Sequence, residues 1–230
     1  MISKHLNLSI FILLFSSLMT SVCFGDHGRE FLLVQTARLG NSGNIFIIAR
    51  QDYTREEGRD KFVFEPLLSW TVRDWISLEV SADAEKVQGE SLNYEATVPG
   101  IRIRLTPKGK PLEMGVAARY DVSADSQSND TLKISGLGTY QVNGWLLGAN
   151  LNYKKQKGIK QEWGFAMGVK RELRHHLSLG LEVSGSLEEK KSGEVVAGLY
   201  YELNHGMQIN AGVGTGFNSD VDFTAKTAFI

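Results

Sequence analysis

The chain has 230 residues, 42% of them apolar and 22% charged, a composition that excludes intrinsic disorder and a collagen-like repeat. Its 25 basic and 26 acidic residues leave a formal charge of −1, which excludes the basic excess of a nucleic-acid binder. The lone cysteine, Cys23, falls near the N-terminus, so the remainder offers no disulfide, thiol nucleophile or cysteine-held metal, and 24 glycines against 4 prolines favour strands and tight turns over helices.

Residues 1–25 read as a signal peptide. Lys4 supplies the positive start, and Leu6 to Leu18 form an apolar run too short for a membrane-spanning helix. Cys23 and Gly25 place small residues at the sites that processing requires, so cleavage is expected before Asp26. The rival reading makes Cys23 an acylated lipoprotein terminus, which Val22 suits poorly. Residues 26–43 are expected to form an N-terminal periplasmic segment. Its apolar patch Phe31-Leu32-Leu33-Val34 has two possible seats, inside the fold or on its rim.

From residue 44 onward, apolar and polar residues alternate with the period of a strand. Twelve strands are predicted, near 44–53, 61–72, 75–86, 91–105, 111–122, 131–142, 144–154, 161–171, 175–187, 193–203, 206–217 and 221–230. In 62–72, Phe62, Phe64, Leu68, Trp70 and Val72 share one face, and Glu65, Ser69 and Thr71 the other. In 76–85, Ile76, Leu78 and Val80 oppose Ser77, Glu79 and Ser81. The stretch 91–105 changes phase, since Leu92, Tyr94, Ala96 and Val98 lead into Ile101 and Ile103; a β-bulge at Pro99-Gly100 is expected to absorb the extra residue. In 145–154, Trp145, Leu147, Ala149 and Leu151 oppose Leu146, Gly148, Asn150 and Asn152. In 177–187, Leu177, Leu179, Leu181 and Val183 oppose Ser178, Gly180, Glu182 and Ser184. In 194–203, Val195, Ala197, Leu199 and Tyr201 oppose Glu194, Val196, Gly198 and Tyr200.

These strands are longer than the typical 5–6 residues and match what a tilted strand needs to cross a bilayer. In lipid, only a closed barrel satisfies the backbone of such strands. Longer polar connections, near 54–60, 87–90, 123–130, 155–160, 188–192 and 218–220, alternate with tight ones, as in outer-membrane barrels. Aromatics gather near both strand ends: Tyr53, Tyr94, Tyr120 and Trp163 at one, Trp70, Tyr140, Trp145, Tyr201 and Phe229 at the other. Two such belts suit two membrane interfaces. Alternation alone also permits a soluble apolar-in barrel. Glycine mixed with long charged groups on the polar face, and a strand count above the eight or so that an apolar core fills, favour apolar-out.

The chain resembles Gram-negative outer-membrane β-barrels, and more narrowly the outer-membrane transporter family named for the phenol meta-pathway. The narrower resemblance lies in Thr36-Ala37-Arg38, in Phe64-Glu65-Pro66-Leu67-Leu68, and in Val72-Arg73-Asp74-Trp75-Ile76-Ser77-Leu78. The terminal run Phe223 to Ile230 is similar to the strand read by the barrel-assembly machinery, with its aromatic, Phe229, one place before the end. The resemblance implies a lipid-bound transporter.

The expected architecture is therefore an all-β, 12-stranded antiparallel up-and-down transmembrane barrel. It would sit in the outer membrane and act as a passive channel or transporter for small-molecule solutes. The lumen or constriction residues are Arg50, Glu65, Glu79, Glu95, Arg119, Lys133, Glu182 and Lys226. In a narrow lumen of low dielectric these charges are costly unless paired, so they form either a selective constriction or a salt-bridge network that plugs a structural or adhesion barrel. A third class, a lipid hydrolase, rests on His176, Ser178 and Glu182 sharing a face. Alternate residues on one strand face lie about 7 Å apart, too far for direct proton transfer. No enzymatic activity, cofactor or metal is expected.

Overall fold

The structure, a computed structural model, describes residues 30–125, 129–159, 161–188, 192–203, 207–217 and 221–230. The signal peptide expected over 1–25 lies outside them. Twelve strands follow in order: β1 (Ile45–Glu56), β2 (Arg59–Arg73), β3 (Ile76–Val87), β4 (Asn93–Arg104), β5 (Leu112–Ser123), β6 (Thr131–Val142), β7 (Trp145–Gln156), β8 (Glu162–Arg174), β9 (Leu177–Ser186), β10 (Gly193–Glu202), β11 (Gln208–Phe217) and β12 (Val221–Phe229). Each pairs antiparallel with its neighbours, and β1 pairs with β12 from Ala49 opposite Phe229 to Glu56 opposite Val221. The barrel is closed, so among the described residues neither β1 nor β12 is left as a free sheet edge.

The alternation places oily side chains outside. Leu181 is 53% exposed while its neighbour Glu182 is 1% exposed, and the same inversion recurs at Leu78 and Glu79 and at Leu147 and Leu146. Trp70, Tyr140, Trp145, Tyr201 and Phe229 are exposed near the strand ends at one rim, and Tyr94, Tyr120, Trp163 and Phe223 near the other. The Tyr153 and Trp163 rings pack 5.0 Å apart, and Tyr53 meets Phe223 at 6.3 Å. An apolar band facing outward is the surface that hydrocarbon requires. Leu181→Arg, with its charge mid-strand on that surface, is expected to cost about 2–4 kcal/mol. Urea unfolding from liposomes measures it.

Two expectations need correcting. The connection between β1 and β2, expected as a longer loop over 54–60, is the tight turn Glu57-Gly58, with φ 47° and 76° at its two residues. That is the left-handed pair a two-residue hairpin requires, and it matches Asn143-Gly144 (φ 47° and 76°) at the other end of the barrel. The bulge expected at Pro99-Gly100 lies earlier. The register of β3 on β4 shifts between Asp83 and Ala84, opposite Tyr94 and Ala96. Tyr94 therefore faces out, while Ala96 and Val98 are buried with Arg102 and Arg104. Glu95 is the extra residue. It is exposed near the start of β4, where a charge meets water and headgroups rather than hydrocarbon.

Candidate functional site: a strapped lumen

The inward face of the wall is polar. Ser69, Thr71, Ser77, Glu79, Arg102, Thr139, Asn150, Lys170, Glu182 and Asn210 are all buried although none lies in an apolar core between sheets. What buries the half nearer the start of β1 and the end of β12 is residues 30–43, which cross the lumen as a strap. Sequence reasoning left the seat of Phe31–Val34 open. The structure puts it inside.

The strap is held mainly by its own backbone. The Glu182 carboxylate accepts from the amides of Leu32 (2.7 Å), Leu33 (2.6 Å) and Val34 (3.0 Å), and from the Tyr200 hydroxyl (2.5 Å). Arg50 donates to the Leu32 carbonyl (2.8 Å) and Lys170 to that of Glu30 (3.2 Å). Asn150 takes the Gln35 amide (2.8 Å) and gives to the Gln35 carbonyl (2.7 Å). Thr139 accepts from Ala37 at 2.9 Å. Further along, Arg38 bonds Gln141, and Lys108 bonds Asn41. Ser42 donates its amide to Asp74 (2.8 Å), and the Gly43 amide then joins the Thr71 carbonyl (2.7 Å), leading into β1. Buried polar backbone needs such partners, and charged ones are the strongest.

Between these anchors the apolar patch fills a trough. Phe31, Leu32 and Val34 pack with Leu146, Ala166, Val196, Tyr200 and Ala228, with Phe31 edge-on to Tyr200 at 6.1 Å. Glycines floor the trough. A Cβ at Gly148 would sit 2.6 Å from Val34 Cγ1, one at Gly212 2.6 Å from Leu32 Cδ1, and one at Gly168 3.0 Å from Phe31. Burial of each large apolar side chain stabilises the seat by about 1.5–3 kcal/mol. The signals in the sequence were Leu146, Val196 and Tyr200, apolar residues on the otherwise polar face, alternating with glycines.

Beyond the strap lies a layer of charge. Glu65 joins Arg50 (3.1 Å) and Arg119, and Arg119 also reaches Ser81 (2.8 Å). Lys226 lies 3.2 Å from Asp52 and 3.3 Å from Glu194. Lys133 pairs with Asp121 at 2.6 Å. Glu79 is deeper and meets Arg102 at 2.6 Å, both nearly fully buried. Of the eight expected lumen residues, Arg50, Glu65 and Arg119 come together, while Lys133 and Lys226 find acidic partners outside the expected set. Glu182 serves the strap, and Glu95 is the exposed extra residue at the β3–β4 register shift, with no partner among the eight. The partners of Glu79, Lys133 and Lys226, namely Asp52, Arg102, Asp121 and Glu194, lie on the polar face that alternation turns inward, outside the expected constriction.

The hydrolase arrangement does not form. His176 occupies the β8–β9 turn with φ 72°, its ring tilted against that of His175 with centroids 4.0 Å apart. The Glu182 carboxylate is occupied by the strap and Tyr200. Among the described residues no group of His, Cys, Asp and Glu is arranged to hold a metal.

With that geometry in place, solved structures of similar fold can be compared. An outer membrane channel from Pseudomonas putida F1 superimposes with a TM-score of 0.68 at 6% identity, covering 84% of this chain and 96% of that one. The fold is that of an outer-membrane β-barrel. KdgM porin gives 0.59 at 9% identity, and the same porin in complex with disordered oligogalacturonate gives 0.62, each over 80% of this chain and 96% of that one. No family model matches the chain. Among curated proteins, pyridoxine 5'-phosphate synthases of Prochlorococcus marinus strains AS9601 and MIT 9312 are 25% and 26% identical over 188 residues, which span 80% of this chain and 69% of theirs. That identity is too low to carry the synthase activity to a barrel whose described interior is committed to the strap and to ion pairs.

Proposed function

We propose that the protein sits in the outer membrane and passes small molecules through its lumen, which the strap closes at the end facing the periplasm. The observation that carries this reading is the inversion of the wall, oily outside and charged inside. Arg50, Glu65, Arg119 and Lys226 form a layer of charge inside that wall, and a polar solute crossing the membrane needs such groups to replace its water. The likeness in fold to a porin and an outer membrane channel agrees with it. Kinship with the phenol meta-pathway transporters belongs to the same reading. Of the residues that carry that resemblance, Asp74 in the β2–β3 turn has a definite role. Its side chain accepts from Ser42 and its carbonyl from Arg104, so the turn fixes the strap's exit. The terminal strand β12 would be the segment presented to the barrel-assembly machinery.

The strap favours one competing reading, a non-conducting barrel with a permanently filled interior. Purified protein in planar bilayers, beside a variant lacking the strap, separates the two. Current through the strapless barrel, with little or none through the intact one, is the expected result. Silence of both, with folding verified by a heat-modifiable gel shift, would leave the structural barrel standing and remove the channel.

A further inference from the structure

We propose that Glu182 is the latch that keeps the strap in the lumen; the inference rests on the reading of the barrel as a closed channel. Four donors converge on its carboxylate, three of them consecutive strap amides and the fourth the Tyr200 hydroxyl. Glu182 is 1% exposed, and among the described residues the wall's own hydrogen bond to it comes from Tyr200. The carbonyl side of the same strap residues is met by cations, Arg50 on Leu32 and Lys170 on Glu30. The peptide groups of residues 30–34 are therefore clamped between an anion on their N–H side and cations on their C=O side.

This clamp has two stable settings. With the strap seated, the carboxylate is dry and its charge is answered by amides. With the strap out, lumen water takes the place of those amides. A buried carboxylate without either would be very costly, so the strap is bound or fully released rather than half-detached. Two neighbouring holds, Asn150 on Gln35 and Thr139 on Ala37, are neutral and weaker. Loss of the Glu182 charge therefore shifts the balance toward the released strap.

The test is trypsin cleavage after Arg38, identified by mass, on the full-length mature protein in liposomes or micelles. Arg38 is held against Gln141 and Glu30 while the strap is seated. Glu182→Gln keeps the shape but removes the charge and turns an NH₂ group toward amide donors. Cleavage about ten-fold faster or more, with the heat-modifiable shift unchanged, is the expected result. Wild-type protection in a folded Glu182→Gln barrel would overturn the latch. If that variant fails to assemble, Tyr200→Phe removes only the wall's own donor. A smaller acceleration supports the latch, and none overturns it. Conductance recorded on the same samples keeps the two ideas apart. Faster cleavage without current supports the latch and counts against the channel, whereas current without any change in cleavage counts against the latch alone.

Discussion

Arg102→Met is expected to destabilise the barrel by about 3–5 kcal/mol, because it leaves the Glu79 carboxylate buried without its cation. Among the described residues this ion pair is the most enclosed, at 2.6 Å with side chains 2% and 3% exposed. Ser69, 3.5 Å from the same carboxylate oxygen, is no substitute for a guanidinium. Arg102 also reaches the Thr36 carbonyl at 3.5 Å, so the variant weakens the middle of the strap as well. The companion Glu79→Met/Arg102→Met removes both charges and should recover most of the loss, since a buried ion pair is often no better than apolar groups of similar volume. Reversible urea unfolding, followed by tryptophan fluorescence, measures all three. Equal stability of Arg102→Met and wild type would mean that water reaches Glu79.

The second large effect is expected on excising residues 31–41. Every strand pairing lies between Ile45 and Phe229, so the barrel should still close. Two costs follow. Tyr200 and Val196 lose their apolar cover, and Glu182 loses three amide donors. Each orphaned hydrogen-bonding group costs about 1–3 kcal/mol while it stays dry, but the opened lumen admits water and lowers that cost. Conductance should rise several-fold, toward that of a twelve-stranded wall with a backbone radius of about 12 Å. Ion selectivity should then be set by the layer of Arg50, Glu65, Arg119 and Lys226.

The twelve strands and their inner and outer faces were legible because alternation is a local property. A residue such as Leu181 declares its side through its immediate neighbours alone. The location of the bulge was not legible. Pro99-Gly100 marks an irregular spot by composition, but the register is set by how β3 pairs with β4, and the slip at Glu95 satisfies both Tyr94 outside and Arg102 inside. Which charges meet was equally hidden. Lys226 on β12 reaches Asp52 on the adjoining β1 and, in the other direction, Glu194 on β10, contacts set by the tilt and stagger of the barrel. The turn at Glu57-Gly58 was masked by the charged residues around it, which read as a loop although they extend the hairpin. The strap left a trace in the apolar residues and glycines of the inner face, but its path depends on backbone partners that no periodicity records.

The wall grips the strap chiefly by peptide groups: amides on Glu182 and Thr139, carbonyls on Arg50 and Lys170, both on Asn150. Peptide groups are common to all residues, so such a seat discriminates by bulk and chain direction more than by identity. Segments of quite different spelling, with comparable girth at positions 31, 32 and 34, should dock equally well. Divergence in this stretch is therefore compatible with an unchanged closure, and a synthetic peptide of matching contour becomes a rational stopper for the strapless barrel.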